Sequence, residues 1–337
     1  MKELNMGSDI QITIKGIEEK LANDIGNAVA GAIKAFKQVD NNLDIRRMHR
    51  IILPADFSGE LTALSHETES GSPITHTNEE YAIAVAKVLL LPCDSDYEMV
   101  LVINANFAAY LAPKNKEGYK TQEFLTALHL LHHELCHVHD NNKQIDAFNG
   151  IMLRHIYKGK DLHIRPLAEL CWAEYIANFL SSTTAKEHWI EIMTESLSDA
   201  IKRTKQKIDS KILEYRTHSD LDKLLGEFHR HGGYLLRVAA HTLGYMDGLN
   251  EPLEKLSERA VESLSGSYFE STWESIQVSL RQMRLSYPDG WAGIDIFDIL
   301  ADAIENYFGE MGFYLSSTED GRTYVDIPFR PETKPNF

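Results

Sequence analysis

The sequence predicts an α+β protein in which a small N-terminal sheet precedes a mostly α-helical body and a C-terminal β-hairpin. Three patterns support this class. Short N-terminal segments alternate apolar and polar residues, as half-buried strands do. From Gln122 to about Phe308 the apolar spacing becomes helical. Two alternating runs then flank TEDG in the segment GFYLSSTEDGRTYVDIPF, which predicts the hairpin.

The N-terminal elements follow in order from these periods. The run from Ile10 to Ile14 alternates and predicts a strand that ends at Gly16. A helix is predicted from Glu18 to Gln38, where apolar residues recur at helical spacing, and a strand from Arg50 to Leu53. Residues 54–78 are rich in Ser, Thr, Gly and His, so this stretch is interpreted as a loop.

A hairpin and several helix breaks complete the pattern. The segments from Tyr81 to Leu91 and from Tyr97 to Asn104 are apolar and flank the turn-like PCDSD, which predicts paired strands. The helical region is expected to break near Gly232–Gly233, Gly248–Pro252 and Pro288–Gly290, because glycine and proline interrupt helices. Three domains are predicted: a catalytic domain over residues 1–182, a helical body completing the cleft over 183–265, and a helix–hairpin module over 266–337.

Composition and charge limit the class of function. The chain has 337 residues and a formal net charge of -16, which disfavours nucleic acid and anionic membranes as partners. Its three cysteines, Cys93, Cys136 and Cys171, form no CxxC pair, so a reducing compartment is expected. The N-terminal segment MKELNMGSDIQITIKG has no apolar run of signal-peptide length, and no window of the chain reaches the apolar length of a membrane span. We therefore expect a soluble, cytoplasmic protein.

The stretch LHLLHHELCHVHD holds five histidines, and helical geometry separates them by role. On one helix from Gln122 to Asn141, with about 100° per residue, His133 and His137 lie one turn apart and point away from the leucines. Two imidazoles so placed can bind one metal ion. Glu134 lies beside them in this HExxH motif, where a carboxylate can act as the general base.

The other members of this stretch have different expected roles. His132 and His139 lie on or beside the apolar face and are expected to pack at the rim of the core. His129 could line the cleft or equally lie in solvent. Cys136 is expected to fill tight space rather than bind metal. Asp140, one turn after the second ligand histidine, is expected to support the ligands or cap the helix.

The third ligand is expected on a later helix, because a catalytic zinc site usually has three protein ligands. The continuation HxxGxxH is absent. In LAELCWAEYIANFLSS, Glu174 lies on a polar strip of small residues, and Asn178 follows one turn later, where it could hydrogen-bond a ligand histidine. Glu169 is the alternative ligand. Glu174 could instead form a buried ion pair, with Arg165 as one partner.

These motifs resemble a known group of enzymes. HExxH on one helix and Glu174 with Asn178 on a later one resemble the gluzincin metallopeptidases, and EYIANFL is similar to the E-x-x-A-N-x-F pattern of small ImmA/IrrE-type peptidases. The resemblance covers roughly residues 8–182. It implies a zincin-like layer made of a small mixed sheet, a backing helix and the active-site helix. The spacing between motifs is longer than in thermolysin, and Asn178 stands where thermolysin-like enzymes have Asp.

The resemblance also extends to a short segment before the motif. INANF, residues 103–107, resembles the edge-strand segment with which thermolysin-like enzymes hold peptide substrates. It implies that Asn104 and Ala105 bind substrate.

The parts together predict a Zn²⁺-dependent metallopeptidase. Glu134 would take a proton from the attacking water and pass it to the leaving amine. Such enzymes usually add a Tyr or His donor for the oxyanion. Tyr234, Arg237 and His241 share one helical face in HRHGGYLLRVAAHTLGY, and Tyr234 and His241 are the candidate catalytic donors from that face.

Two other functions stay open. The metal site could belong to a non-peptidase zinc-binding scaffold that interacts with partner proteins. It could also belong to a narrow regulatory protease that acts on a single partner. The expected substrate is a peptide or a protein, and the oligomeric state is left open.

Overall fold

A computed structural model describes residues 2–6, 10–66, 78–79, 82–83, 85–93, 96–151 and 155–334. The protein is mixed α+β and mostly helical, and it ends in an antiparallel hairpin, as the sequence predicts. The chain forms two compact units. The first unit comprises Met1–Lys143 with Thr184–Lys186, and the second comprises Gln144–Thr183 with Glu187–Phe337. The division into three functional domains stays a prediction.

The first unit is built on a mixed five-stranded sheet with the strand order β1-β2-β3-β7-β6. Strands β2, β3 and β7 run parallel, whereas the edge strands β1 and β6 are antiparallel to their neighbours. A separate pair is formed by β4 and β5. The strands are β1 (Lys2–Met6), β2 (Ile10–Lys15), β3 (Met48–Pro54), β4 (Asn78–Glu79), β5 (Ala82–Ile83), β6 (Ala86–Cys93) and β7 (Asp96–Ile103).

Helices cover this sheet. The first-unit helices are α1 (Glu19–Val39), α2 (Phe57–Ser65), α3 (Ala105–Ala108) and most of α4 (Gln122–Phe148). Helix α1 connects the parallel strands β2 and β3, as such a connection requires, and it buries a stripe that includes Ile25, Val29 and Ile33. Helix α2 packs on strand side chains such as Val100 and Val102. The predicted first strand and helix of this unit are confirmed. The predicted hairpin is confirmed as the pair of β6 and β7, whereas Ala82 and Ile83, expected in its first strand, pair with β4 instead.

The prediction of a loop over residues 54–78 is wrong in its first part. Residues 57–65 form α2 because Asp56 accepts a hydrogen bond from the Gly59 N–H and caps the helix. Phe57 and Leu61 then reach a buried cluster on the sheet. Residues 67–77 lie outside the described part of the chain. Strand β1 was not predicted from the sequence.

The second unit is helical except for its terminal hairpin. Helix α7 is buried along most of its length and packs against α5 and α6. The helices and strands of the second unit are α5 (Asp161–Ser181), α6 (Glu187–His218), α7 (Leu221–Leu249), α8 (Leu253–Leu256), α9 (Glu258–Leu264), α10 (Glu270–Ser286), α11 (Asp298–Met311), β8 (Tyr314–Ser317) and β9 (Thr323–Asp326).

Helices α5 and α7 approach each other closely at two glycines of α7. A Cβ atom on Gly244 would lie 2.5 Å from the carbonyl oxygen of Tyr175 and 2.8 Å from Cβ of Asn178. A Cβ atom on Gly248 would lie 2.5 Å from the carbonyl oxygen of Phe179. The two helix backbones therefore meet at a distance that only glycine allows.

The predicted helix break at Gly232–Gly233 is wrong, because α7 continues through both residues. A Cβ atom on Gly233 would lie 3.0 Å from a methyl carbon of Leu167, so a close neighbour explains the small residue. The other two predicted breaks are confirmed. Helix α7 ends before Asn250, which has a left-handed φ of 55°, and α10 ends at Ser286.

The β8–β9 hairpin is fastened to the segment that leads into α5. Gly159 donates its N–H to the carbonyl oxygen of Gly321 at 2.9 Å and accepts the hydroxyl of Thr323 at 2.6 Å. The N–H of Lys160 donates to Oγ of Ser317 at 3.0 Å. Gly159 has a φ of +58°, a conformation that glycine adopts without strain. The start of α5 thus depends on residues more than a hundred positions later.

None of the helices in the described ranges combines the length and the apolar character needed to cross a lipid bilayer.

Candidate metal centre

His133 and His137 lie one turn apart on α4, as the HExxH spacing predicts. Their Nε2 atoms are 3.0 Å apart, and the two rings are nearly perpendicular at 88°. Two imidazole nitrogens bound to one tetrahedral zinc ion would lie about 3.3 Å apart, given Zn–N bonds of about 2.0–2.1 Å. The two nitrogens therefore converge at a spacing that fits one shared ion.

A threonine links two other histidines of the same helix. The hydroxyl oxygen of Thr184 lies 2.9 Å from Nδ1 of His129 and 3.0 Å from Nδ1 of His132. His132 stacks on Phe36 with ring centres 4.4 Å apart. Burial, reinforced by the neighbouring His133, lowers its pKa to about 4. The predicted packing role of His132 is confirmed, and the solvent-exposed alternative for His129 is wrong because that residue is 1% exposed.

The remaining polar residues of the stretch are also buried. Nδ1 of His139 accepts a hydrogen bond from the N–H of Asp44 at 2.9 Å, which confirms its place at the rim of the core. Cys136 is buried, and burial, followed by the charges of Asp40 and Asp140, raises the pKa of its thiol. A neutral thiol is a poor metal ligand, in agreement with a packing role. The supporting role of Asp140 stays a prediction.

The predicted general base, Glu134, is 7% exposed and has a cation in its surroundings. Lys87 lies on the edge strand β6. Burial lowers the pKa of this lysine, and the negative charge of Glu134 opposes that shift. Sequence reasoning did not single out Lys87. The signal was the lone charged residue within the apolar run YAIAVAKVLLL.

In the second unit, Glu174 belongs to a connected group of polar side chains. Nε2 of His241 lies 3.2 Å from Oε2 of Glu174. The side-chain amide of Asn178 donates to the carbonyl oxygen of Glu174 at 2.6 Å and lies 2.7 Å from Nδ1 of His241. Asn178 does contact a histidine, as expected, but the contact described is to His241 on α7 rather than to a predicted ligand.

Glu169 and Arg165, the residues named in the two alternatives for Glu174, each contact another side chain. Glu169, the alternative ligand, accepts a hydrogen bond from the hydroxyl of Tyr157. Burial raises the pKa of the Glu169 carboxyl. Arg165, the alternative ion-pair partner, contacts Asp298 instead.

The shared face of Tyr234, Arg237 and His241 is confirmed. All three are half-buried, whereas the residues between them on α7 are buried. The guanidinium of Arg237 lies 5.6 Å from the centre of the Tyr234 ring. The catalytic roles of Tyr234 and His241 stay predictions.

One group of side chains among the described residues has the spacing of a metal site. His133, His137 and Glu174 each offer one ligand atom, and these atoms all lie within 4.8 Å of one another. Two imidazoles and one carboxylate suit Zn²⁺ and also other divalent transition-metal ions. The donor set therefore fits a divalent metal ion but does not by itself identify which one.

Comparisons with protein-family models, with curated proteins and with solved structures gave no match to this chain.

The edge-strand interpretation of residues 103–107 is wrong. Ile103 ends β7, which pairs with β3 and β6 and is therefore an inner strand. Asn104 caps the short helix α3 by accepting the Asn106 N–H at 2.9 Å, and Ala105 is fully buried in that helix. The strand at this edge of the sheet is β6. Substrate binding by Asn104 and Ala105 stays a prediction without the strand edge that motivated it.

Proposed function

We propose that this protein is a zinc-dependent metallopeptidase of the gluzincin kind, with zinc held by His133, His137 and Glu174. The observation that carries the proposal is the convergence of these three ligand atoms within 4.8 Å. A zinc ion at such a site supplies Lewis acidity and lowers the pKa of water to about 7. The HExxH motif and the later Glu174 with Asn178, which resemble gluzincins, support the same assignment.

In this proposal Glu134 is the general base. It follows His133 in the motif and is largely buried, so its carboxylate is held in place rather than free in solvent. It takes a proton from the attacking water and passes it to the amine of the departing peptide. The nearby ammonium of Lys87 favours the ionised carboxylate, which is the form that accepts a proton.

The proposed substrate is a peptide or a protein, and the proposed location is the cytoplasm. The net charge of -16 supports a function without nucleic acid or membrane partners. Tyr234 and His241 are the proposed source of a hydrogen-bond donor for the oxyanion, with Asp140 and Asn178 supporting the ligands.

Metal analysis tests the ligand set. We expect the purified protein to contain one zinc ion per chain, Glu174→Ala to lose or weaken metal binding, and Glu134→Gln to keep the metal. Glu169→Ala is the matched control, because it removes a carboxylate from the same helix without touching the proposed ligands. Metal content in the Glu174→Ala protein equal to that of the wild type would show that the third ligand is misassigned, and a loss in Glu169→Ala alone would assign the ligand to Glu169.

A peptide-library digest, with and without chelator, tests the activity. Cleavage that disappears with chelator and in Glu134→Gln supports a peptidase and rules out the scaffold alternative. A protein that binds zinc and cleaves no library peptide contradicts a general peptidase. The single-partner protease is then tested by incubating cell extract with the wild-type and Glu134→Gln proteins and looking for one fragment that only the wild type produces.

A further inference from the structure

Two histidines outside the candidate metal centre face each other between α5 and α7. Nδ1 of His163, in the first turn of α5, lies 3.4 Å from Nε2 of His229 on α7. The ring centres are 5.7 Å apart and the ring planes are inclined at 37°. Both residues belong to the second unit and are half-buried. Each ring therefore presents one nitrogen to the same small region of space.

The distance between these nitrogens suits a shared metal ion better than a hydrogen bond. Hydrogen bonds donated by N–H groups usually span about 2.7–3.2 Å, so 3.4 Å is long for one ring donating to the other. Two imidazole nitrogens on one tetrahedral zinc ion would lie about 3.3 Å apart, given Zn–N bonds of about 2.0–2.1 Å. The spacing is therefore the one expected when two imidazoles bind a single ion.

The neighbours of the pair support this assignment. The negative charge of Asp222, on α7, acts on His163 and would attract a cation. The ring of His229 contacts Phe228 and Phe308, with ring centres 6.3 Å and 6.2 Å away. Because these aromatic contacts restrict rotation of the His229 ring, its Nε2 is oriented before any ion binds.

We propose that His163 and His229 form a second metal site, in which a divalent transition-metal ion joins the start of α5 to α7. Imidazole nitrogen suits Zn²⁺, Cu²⁺ and Ni²⁺, whereas Mg²⁺ and Ca²⁺ prefer oxygen ligands. The pair supplies two protein ligands, and water completes the coordination. The role of this site is structural, because an ion that binds only the folded protein stabilises it by mass action. The site does not depend on the proposed peptidase activity.

Zinc titration against a competing chelator tests this site in a protein that lacks the first one. His133→Ala with His137→Ala removes both imidazoles of the candidate metal centre, and we expect this background protein to bind one zinc ion per chain. Adding His163→Gln should abolish that binding, because glutamine can still hydrogen-bond His229 but does not replace imidazole as a zinc ligand. His155→Ala, which removes an exposed histidine of the same unit, is the matched control and should leave the binding unchanged. A background protein that binds no zinc, or zinc binding that survives His163→Gln, overturns the proposal.

Thermal unfolding provides a second measurement, with zinc and magnesium as the probes. Zinc at about a hundred times its dissociation constant should raise the melting temperature of the background protein by up to about 10 °C. Magnesium should leave the melting temperature unchanged. His163→Gln and His229→Gln should each lose the response to zinc, because each removes one of the two ligands. An equal rise in the background protein and in both variants would place the zinc elsewhere and refute the site.

The two metal sites fail independently. The wild-type protein should keep one zinc ion through purification and bind a second when zinc is added, because two protein ligands hold an ion less tightly than three. If Glu174→Ala loses zinc and His163→Gln does not, the proposed function stands and the second site is refuted. If only His163→Gln loses zinc, the second site stands and the ligand set of the proposed function is refuted.

Discussion

Gly244→Ala tests the close approach of α5 and α7. The added Cβ would lie 2.5 Å from the carbonyl oxygen of Tyr175 and 2.8 Å from Cβ of Asn178, whereas ordinary contacts begin at 3.4 Å. The helices must therefore separate by about 1 Å, because two backbones rather than flexible side chains collide. Overpacking of this kind costs about 1–3 kcal/mol, against a gain of about 0.5–1 kcal/mol from replacing glycine by alanine in a helix.

Gly226→Ala is the matched control, because Gly226 lies on the same helix and a Cβ atom on it would have no atom of the described residues within 4 Å. Thermal unfolding measures both variants. A change of 1 kcal/mol shifts the melting temperature of a unit this size by about 2–4 °C. We expect Gly226→Ala to melt slightly higher than wild type and Gly244→Ala to melt several degrees lower. Equal melting temperatures for the two variants would refute the backbone contact.

Two further predictions concern buried polar groups of the second unit. Asp247 accepts hydrogen bonds from the Tyr175 hydroxyl at 2.6 Å and from Nη2 of Arg281 at 2.7 Å. Asp247→Ala should lower the free energy of unfolding in urea by about 2 kcal/mol, because the buried hydroxyl of Tyr175 loses its acceptor. Arg281 is 44% exposed, so its ion pair adds little. Tyr175→Phe should lower the free energy of unfolding by less, and the reverse order would contradict this assignment. Burial, together with the charge of His163, lowers the pKa of His229 to about 4. Between about pH 6.5 and pH 4 the unfolded chain therefore binds a proton that the folded protein does not. The free energy of unfolding should be highest above about pH 6.5 and fall by up to about 3 kcal/mol as the pH decreases to about 4. His229→Gln should flatten that part of the pH–stability curve, and an unchanged slope would show that other groups cause it.

Segments with a regular apolar period were predictable from the sequence. The predictions failed where a contact with a distant part of the chain outweighed the local preference of the residues. Alternation over residues 10–14 and helical spacing over 18–38 identified β2 and α1 within a residue or two. Helix α2 was missed because its composition suggests a loop. Its cap, Asp56, and the spacing of Phe57 and Leu61 were the signals that could have revealed it.

The effect of glycine on a helix was also difficult to predict, because it depends on contacts with distant residues. Gly232–Gly233 predicted a break, yet α7 continues through both residues, and a methyl group of Leu167 lies close to the position that a Cβ atom of Gly233 would occupy. Sequence alone does not distinguish this role of glycine from its role as a helix breaker.

In the candidate site, too, contacts within one helix were predictable from the sequence and contacts between helices were not. His133 and His137 could be paired from spacing alone, because a single helix fixes their geometry. The contact of Asn178 with His241 joins two helices 63 positions apart in sequence, and no periodicity records which helices pack together. Angles on one helix placed Asn178 on the polar strip but could not identify the histidine that it contacts.

The hydrogen bonds between the β8–β9 hairpin and the start of α5 determine which parts of the protein can fold first during synthesis. Gly159 and Lys160 bond to residues 317–323, so the segment that introduces Glu174 lacks these partners until nearly all of the second unit has been synthesised. Contacts of such long sequence separation form late and slow folding. During translation residues 1–143, which make up most of the first unit, can fold while α5 is still incomplete, so Glu174 is the last of the three proposed ligands to be fixed in place.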